Sequence, residues 1–142
     1  NANNCTSIPA GLFDNTPNVT NFVLTFNANN LASIPAGLFD NTPTVESFFF
    51  AFRSNNLTTA PANLFDTQTA CTNYGQAFEN NDLDQTGVDN ILVSVLASAN
   101  ANNLDNGDLG IDGGTNATPS ATGQSAADDL RARGWTVNLN GY

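Results

Sequence analysis

The sequence predicts an α/β solenoid, with 26-residue repeats stacked along a parallel β-sheet, short helical or 3₁₀ segments between strands, and a C-terminal helix–strand cap. Three observations carry this. The segment SIPAGLFDNTPNV at 7–19 returns as SIPAGLFDNTPTV at 33–45 and, degraded, as TAPANLFDTQTAC at 59–71. Apolar residues keep the same 26-residue register between those segments. After residue 85 the period disappears and helical spacing replaces it. The length of 142 residues suits one domain, 1–142, with repeats over 1–85 and capping units over 86–142.

Within each repeat, Pro9, Pro35 and Pro61 open a PAGLF-type segment, and Pro favours the first turn of a short helix. Gly11 and Gly37 give way to Asn63, an exchange between residues that tolerate positive φ, so a left-handed turn is expected there. Val19, Val45 and Cys71 form one apolar column. Phe22, Phe48 and Tyr74 form the next, then Leu24 with Phe50, then Phe26, Phe52 and Phe78. Their spacing of two predicts a strand with one buried face. Cys5, Leu31, Leu57 and Leu83 follow, then Ile8, Ile34 and Ala60. No repeat can bury these residues alone, whereas stacked repeats can. Asn3, Asn29, Asn55 and Asn81 form a polar column expected to bond turn backbone in successive coils.

Past residue 85, Val88, Ile91, Leu92, Val95, Leu96 and Ala99 lie at helical spacing, and Thr86 with Asp89 matches a capping box. A strand is expected at 108–112, ended by Gly113 and Gly114. Thr118-Pro119 opens a second helix, whose contact face is Gly123, Ala126, Ala127 and Leu130. Gly134 ends that helix, Arg131 and Arg133 suit its C-terminal dipole, and 135–140 alternates as a last strand. These two helix–strand units would extend a parallel sheet and cover the end of the repeats.

The units NNLASIPAGLFDNTPTVESFFFAF and NNLTTAPANLFD resemble bacterial and phage-type leucine-rich repeats of the BspA-like class, over roughly 1–85. The tail from Asn106 to Tyr142 resembles the C-terminal ends of repeat proteins in bacterial surface proteins and tailed-phage structural proteins. The resemblance implies extracellular or virion-surface display, binding to proteins or glycans, and no cofactor.

Composition narrows the chemistry. The net charge is −10, with no Lys, no His and three Arg. Phosphate backbones need clustered cations, so nucleic acid is not an expected partner, and anionic membranes would repel the chain. No apolar run reaches membrane-spanning length and no signal peptide is evident. The first residue is Asn rather than Met, which is read as processing or as part of a longer chain. Without His or Lys, triads, His-based metal sites and Schiff bases cannot be built. Two carboxylate groupings remain, Glu79, Asp82 and Asp84, and Asp105, Asp108 and Asp112. In Asn- and Gly-rich stretches such residues make turns and caps. Ca²⁺ binding is the second reading and glycan cleavage the third, and the spacing does not match an EF-hand loop. Cys5 and Cys71 fall in different columns more than two coils apart, so an internal disulfide does not fit. Either both are small buried hydrophobes, or Cys5 pairs with another chain or an upstream segment.

Two surfaces follow. Residues between the buried columns would pave the sheet face as Asn21, Val23, Thr25, Ser47, Phe49, Ala51, Asn73, Gly75 and Ala77, with Arg53 and Glu46 on its border. Phe49 beside Val23 would form an apolar spot, met by a protein or glycan or covered by the same assembly. At the other site, Cys5, Ile8, Leu12 and Phe13 would be left half-bare as a stacking end, so either more chain precedes them or a neighbouring subunit stacks there end to end. The expected function is a non-enzymatic, surface-displayed binding or structural module of a phage virion, as a tail-fibre or decoration segment. The alternative is a bacterial cell-surface adhesin or a self-assembling extracellular filament subunit.

Overall fold

A computed structural model describes residues 4–142; the expected Asn3 position lies outside the described residues. Its regular elements, in chain order, are β1 (Asn73–Tyr74), α1 (Gln85–Asn102), β2 (Asp108–Gly110), α2 (Ala121–Ala132) and β3 (Thr136–Asn138). The three short strands form a parallel sheet in the order β1-β2-β3, with Asn73 opposite Asp108 and Leu109 opposite Val137. This corrects the expected fold class. Two helices and a small open parallel sheet make up the regular structure, in place of a leucine-rich-repeat solenoid with a sheet running its length. Through the repeats, only the isolated bridges Asn21–Ser47 and Ser47–Asn73 appear among the described residues.

The physical reason lies in the backbone between the aromatic positions. Leu24 and Ala28 adopt φ of 60° and 53°, Phe50 and Ser54 57° and 56°, and Gln76 and Asn80 50° and 57°. A strand needs φ strongly negative at every residue. Here the chain turns instead, with Thr25 N–H donating to Phe22 C=O at 3.2 Å and Asn27 N–H to Leu24 C=O at 3.2 Å. The expected helical segments at the PAGLF positions are likewise single turns, closed by Asp14 N–H to Gly11 C=O at 3.1 Å and Asp40 N–H to Gly37 C=O at 3.2 Å. Gly11 and Gly37 take φ of 70° and Asn63 takes 60°, the left-handed turn that their exchange implies.

The 26-residue columns nevertheless pack in register. We call 4–26, 27–52 and 53–78 the first, second and third layers. Ring centroids step by 5.4 and 5.5 Å along Phe22, Phe48 and Tyr74, by 5.2 and 5.4 Å along Phe26, Phe52 and Phe78, and by 6.0 and 5.9 Å along Phe13, Phe39 and Phe65. The Phe39 column meets the Phe48 column edge to face at 4.7 Å, an arrangement favoured by the ring quadrupoles. Backbone bonds repeat too. N–H groups of Phe22, Leu24, Phe26 and Ala28 donate to carbonyls of Ser47, Phe49, Ala51 and Arg53, and those of Phe48, Phe50, Phe52 and Ser54 do the same to Asn73, Gly75, Ala77 and Glu79.

The asparagine column satisfies the layer backbone. Asn55 Oδ1 accepts from Leu31 N–H at 3.1 Å, and its amide donates to Phe26 C=O at 2.8 Å and Phe52 C=O at 3.0 Å. Asn81 repeats this with Leu57, Phe52 and Phe78. Asn116 extends the series beyond the repeats, accepting from Leu83 N–H at 2.9 Å.

α1 begins two residues before the expected capping box. Asp84 is the N-cap, its carboxylate accepting from Gly87 N–H at 2.7 Å. Asp89, the other half of the expected box, instead accepts from Ser120 N–H at 3.0 Å and from the Ser120 hydroxyl. That clamps α1 to the start of α2, which Ser120 caps in turn through Thr122 N–H. α1 docks on the third layer through Ser94, which accepts from Phe65 N–H at 2.7 Å and donates to Asp66 at 2.6 Å, and through Ser98, which donates to Gln68 C=O at 2.7 Å. The expected contact face of α2 is buried, and Gly134 ends it at φ 82°.

Candidate functional site

The strip of residues following each bridge position is the best-formed outward surface. Its first column is held by its own side chains. Asn21 Oδ1 accepts from Val23 N–H at 2.7 Å, Ser47 Oγ from Phe49 N–H at 3.3 Å, and Asn73 Oδ1 from Gly75 N–H at 3.1 Å. These are Asx- and Ser-type turns, so all three residues shape the strip. Val23 and Phe49 are half-buried and Thr25 is exposed. Ala51 and Ala77 are fully buried and Gly75 is buried, which removes them from the outward face. The cause is the turn just described: Ala51 N–H bonds to Phe48 C=O at 2.9 Å, and this reversal swings the third residue inward.

The same turn pushes out two residues that spacing places in the core. Leu24 is 52% exposed, and Phe50 is only half-buried. Bulky side chains rarely take a left-handed backbone, which costs roughly 1–2 kcal/mol per residue, yet the interlayer hydrogen bonds hold both there. The sequence carried one signal of this. The third member of the Leu24–Phe50 column is Gln76, a polar residue that a core column would not accept. The strip is completed by Arg53, whose guanidinium lies 4.9 Å from the Phe50 ring centroid while its Nε pairs with Glu79 at 2.7 Å. Phe49 and Phe50 sit ring against ring at 3.9 Å. Phe49 also borders Gly75, where a Cβ would meet Asp108 Oδ2 at 2.7 Å and the Phe49 ring at 3.1 Å. A side chain at this position would make the Asp108 carboxylate and the Phe49 ring give way.

At the other predicted surface, Cys5 is exposed, Ile8 is buried, Leu12 is 44% exposed and Phe13 is half-buried against Phe22. The two cysteines are free. Cys71 alone fits the reading of a small buried hydrophobe, and burial pushes its thiol up to about 11.

The carboxylate groupings are largely spent on structure. Glu79 pairs with Arg53, Asp82 accepts from the Thr115 hydroxyl, Asp84 caps α1, and Asp105 pairs with Arg133 at 3.1 Å. Asp108 and Asp112 differ, each keeping one buried carboxylate oxygen without a hydrogen-bond partner. Burial raises the Asp108 carboxyl above its ordinary range, and the nearby Asp112 charge adds to the rise. No group of three His, Cys, Asp or Glu residues is placed to hold a metal among the described residues. Sequence reasoning did not anticipate a shallow open groove of about 460 Å³ between α1 and α2, lined by Val93, Leu96, Thr122 and Ser125 among others. No helix among the described residues is long and apolar enough to cross a membrane. Comparison with protein-family models, curated proteins and solved structures finds no match to this chain.

Proposed function

We propose that the protein is a non-enzymatic binding module that engages a protein or glycan surface through Val23, Leu24, Phe49 and Phe50. One observation carries the reading. Leu24 and Phe50 are held outward at energetic cost on a left-handed backbone, with the Phe49 ring against that of Phe50 and a polar border of Asn21, Thr25 and Arg53. Contiguous exposed apolar surface rimmed by polar groups suits recognition. Display on a phage virion, as a tail-fibre or decoration segment, is the setting suggested by the resemblance of the C-terminal tail. The alternative setting is a bacterial cell-surface adhesin or an extracellular filament subunit.

The test is binding of fluorescently labelled protein to a panel of fixed bacterial cells, before and after protease or periodate treatment. Wild type should label at least one strain, and Leu24→Asp and Phe49→Asp should each weaken labelling about tenfold or more, as expected for central apolar contacts. Loss after periodate identifies a glycan, and loss after protease identifies a protein. No labelling, or equal labelling by both variants, removes the strip as a binding face.

A further inference from the structure

Twice in this molecule an arginine lies over an aromatic ring and pairs with a carboxylate beside that ring. The Arg53 guanidinium is 4.9 Å from the Phe50 centroid while its Nε holds Glu79 at 2.7 Å. The Arg131 guanidinium is 5.2 Å from the Tyr142 centroid while its Nη1 reaches Asp128 at 3.3 Å. Guanidinium chemistry accounts for both. The cation is drawn to the negative face of the ring, and its N–H groups donate to carboxylate oxygens.

Phe49 and Asp108 make a third pair of this kind. Both side chains reach over Gly75, where the Asp108 Oδ2 and the Phe49 ring edge flank the same point at 2.7 and 3.1 Å. No arginine of this chain serves them. Arg133, the third, is held elsewhere by Asp105 and by the Ala99 and Leu104 carbonyls, and the sequence has no Lys or His. Asp108 is half-buried, and one of its oxygens is buried without a hydrogen-bond partner. The nearby Asp112 charge makes its ionised form less favourable still. A desolvated, unpaired carboxylate carries a cost that an opposite charge removes. The Phe49 ring is half-buried, lies against Phe50 and stands in the same strip.

The geometry points to an arginine side chain of a partner polypeptide, seated on Phe49 and paired with Asp108, as the group this strip recognises. The inference rests on the reading of the strip as a binding face and names the partner's chemistry. Charge complementarity selects a cationic partner over a glycan. Sugar hydroxyls can bond a carboxylate but cannot neutralise it, whereas a net charge of −10 draws basic surfaces in from a distance. Val23 and Leu24, in the adjoining layer, supply apolar contact for the residues around that arginine, which a small free cation lacks.

The direct test adds the peptide acetyl-Arg-Gly-Arg-amide to isotope-labelled protein and follows the backbone amide signals. Shifts should centre on Phe49, Gly75 and Asp108, saturate at lower concentration than with the lysine counterpart, and weaken in high salt. Asp108→Asn keeps the shape and removes the charge, and should weaken binding about fivefold or more. Asp129→Asn removes the same charge from an exposed site on α2 and should leave binding unchanged. No shifts at those three residues, or equal binding by Asp108→Asn, would overturn the inference. In the cell-labelling assay, protease should abolish labelling, periodate should not, and Asp108→Asn should lose labelling alongside Leu24→Asp. Labelling that needs Leu24 but ignores Asp108→Asn, or that periodate abolishes, overturns the arginine partner and leaves the strip standing. Labelling indifferent to Leu24→Asp removes the strip and the inference together.

Discussion

Single side chains decide whether this fold can exist, and the asparagines show how. A layer edge turned into the core carries N–H and C=O groups that need partners. An amide has an acceptor and two donors, which matches the need at each turn. Asn81 is 1% exposed and serves Leu57 N–H together with the Phe52 and Phe78 carbonyls. Replacing it by alanine strands Leu57 N–H, while the Phe52 and Phe78 carbonyls keep the amides of Asn55 and Asn116, so one unsatisfied group should cost about 1–3 kcal/mol. Urea denaturation of Asn81→Ala checks this, and a shift under about 0.5 kcal/mol would show that the column is ornamental. The column itself was legible from the recurrence of Asn29, Asn55 and Asn81. Its continuation at Asn116 was not, because the spacing lengthens by the insertion of α1 and β2.

At the scale of elements, the helices were the most readable part. The spacing of Val88, Ile91, Leu92, Val95 and Ala99 identifies α1, and all five side chains are buried. Its start was misread because Asp84 and Thr86 are both favourable N-cap residues. Tertiary contact breaks the tie. Asp84 N–H donates to Thr58 C=O at 2.8 Å, tying that residue to the third layer and leaving its carboxylate free to cap. Asp84→Ala should therefore lower stability by about 1 kcal/mol, whereas Thr86→Ala should change it by no more than a few tenths. Thermal or denaturant melts of the two variants distinguish the start observed here from the one expected at Thr86. Strand prediction failed in the first two layers for a different reason. Residues four apart, such as Phe22 and Phe26, can share a buried face through an extended strand or through a turn, and spacing alone does not separate the two.

For the whole molecule, charge is the governing quantity. All three arginines are in ion pairs, with Glu79, Asp128 and Asp105, so among the described residues most carboxylates have no arginine beside them. At Asp108 burial raises the carboxyl first, and the nearby Asp112 charge adds to the rise. A folded-state pKa above the unfolded value means that the folded protein holds this proton more tightly. Its contribution to stability is present below the ordinary carboxylate range and is lost as pH climbs through the raised value. Asp108→Asn should accordingly be more stable than wild type at neutral pH, with the advantage shrinking toward pH of about 3. Paired melts at the two pH values test this. An advantage that grows on acidification would show that the group is stabilised as a carboxylate.

The sequence by itself determined which residues share a column, that asparagine runs beside the aromatic columns, and where two amphipathic helices follow. Those features rest on composition and period, which act locally or repeat identically. Only the tertiary structure decided that the chain turns between its aromatic positions, that regular strands among the described residues are confined to Asn73–Asn138, and that Leu24 and Phe50 face outward while Ala51 turns in. The reason is that a left-handed residue other than glycine is imposed by bonds between layers, here Leu24 N–H to Phe49 C=O and Phe50 N–H to Gly75 C=O. No property of an isolated leucine or phenylalanine announces that constraint.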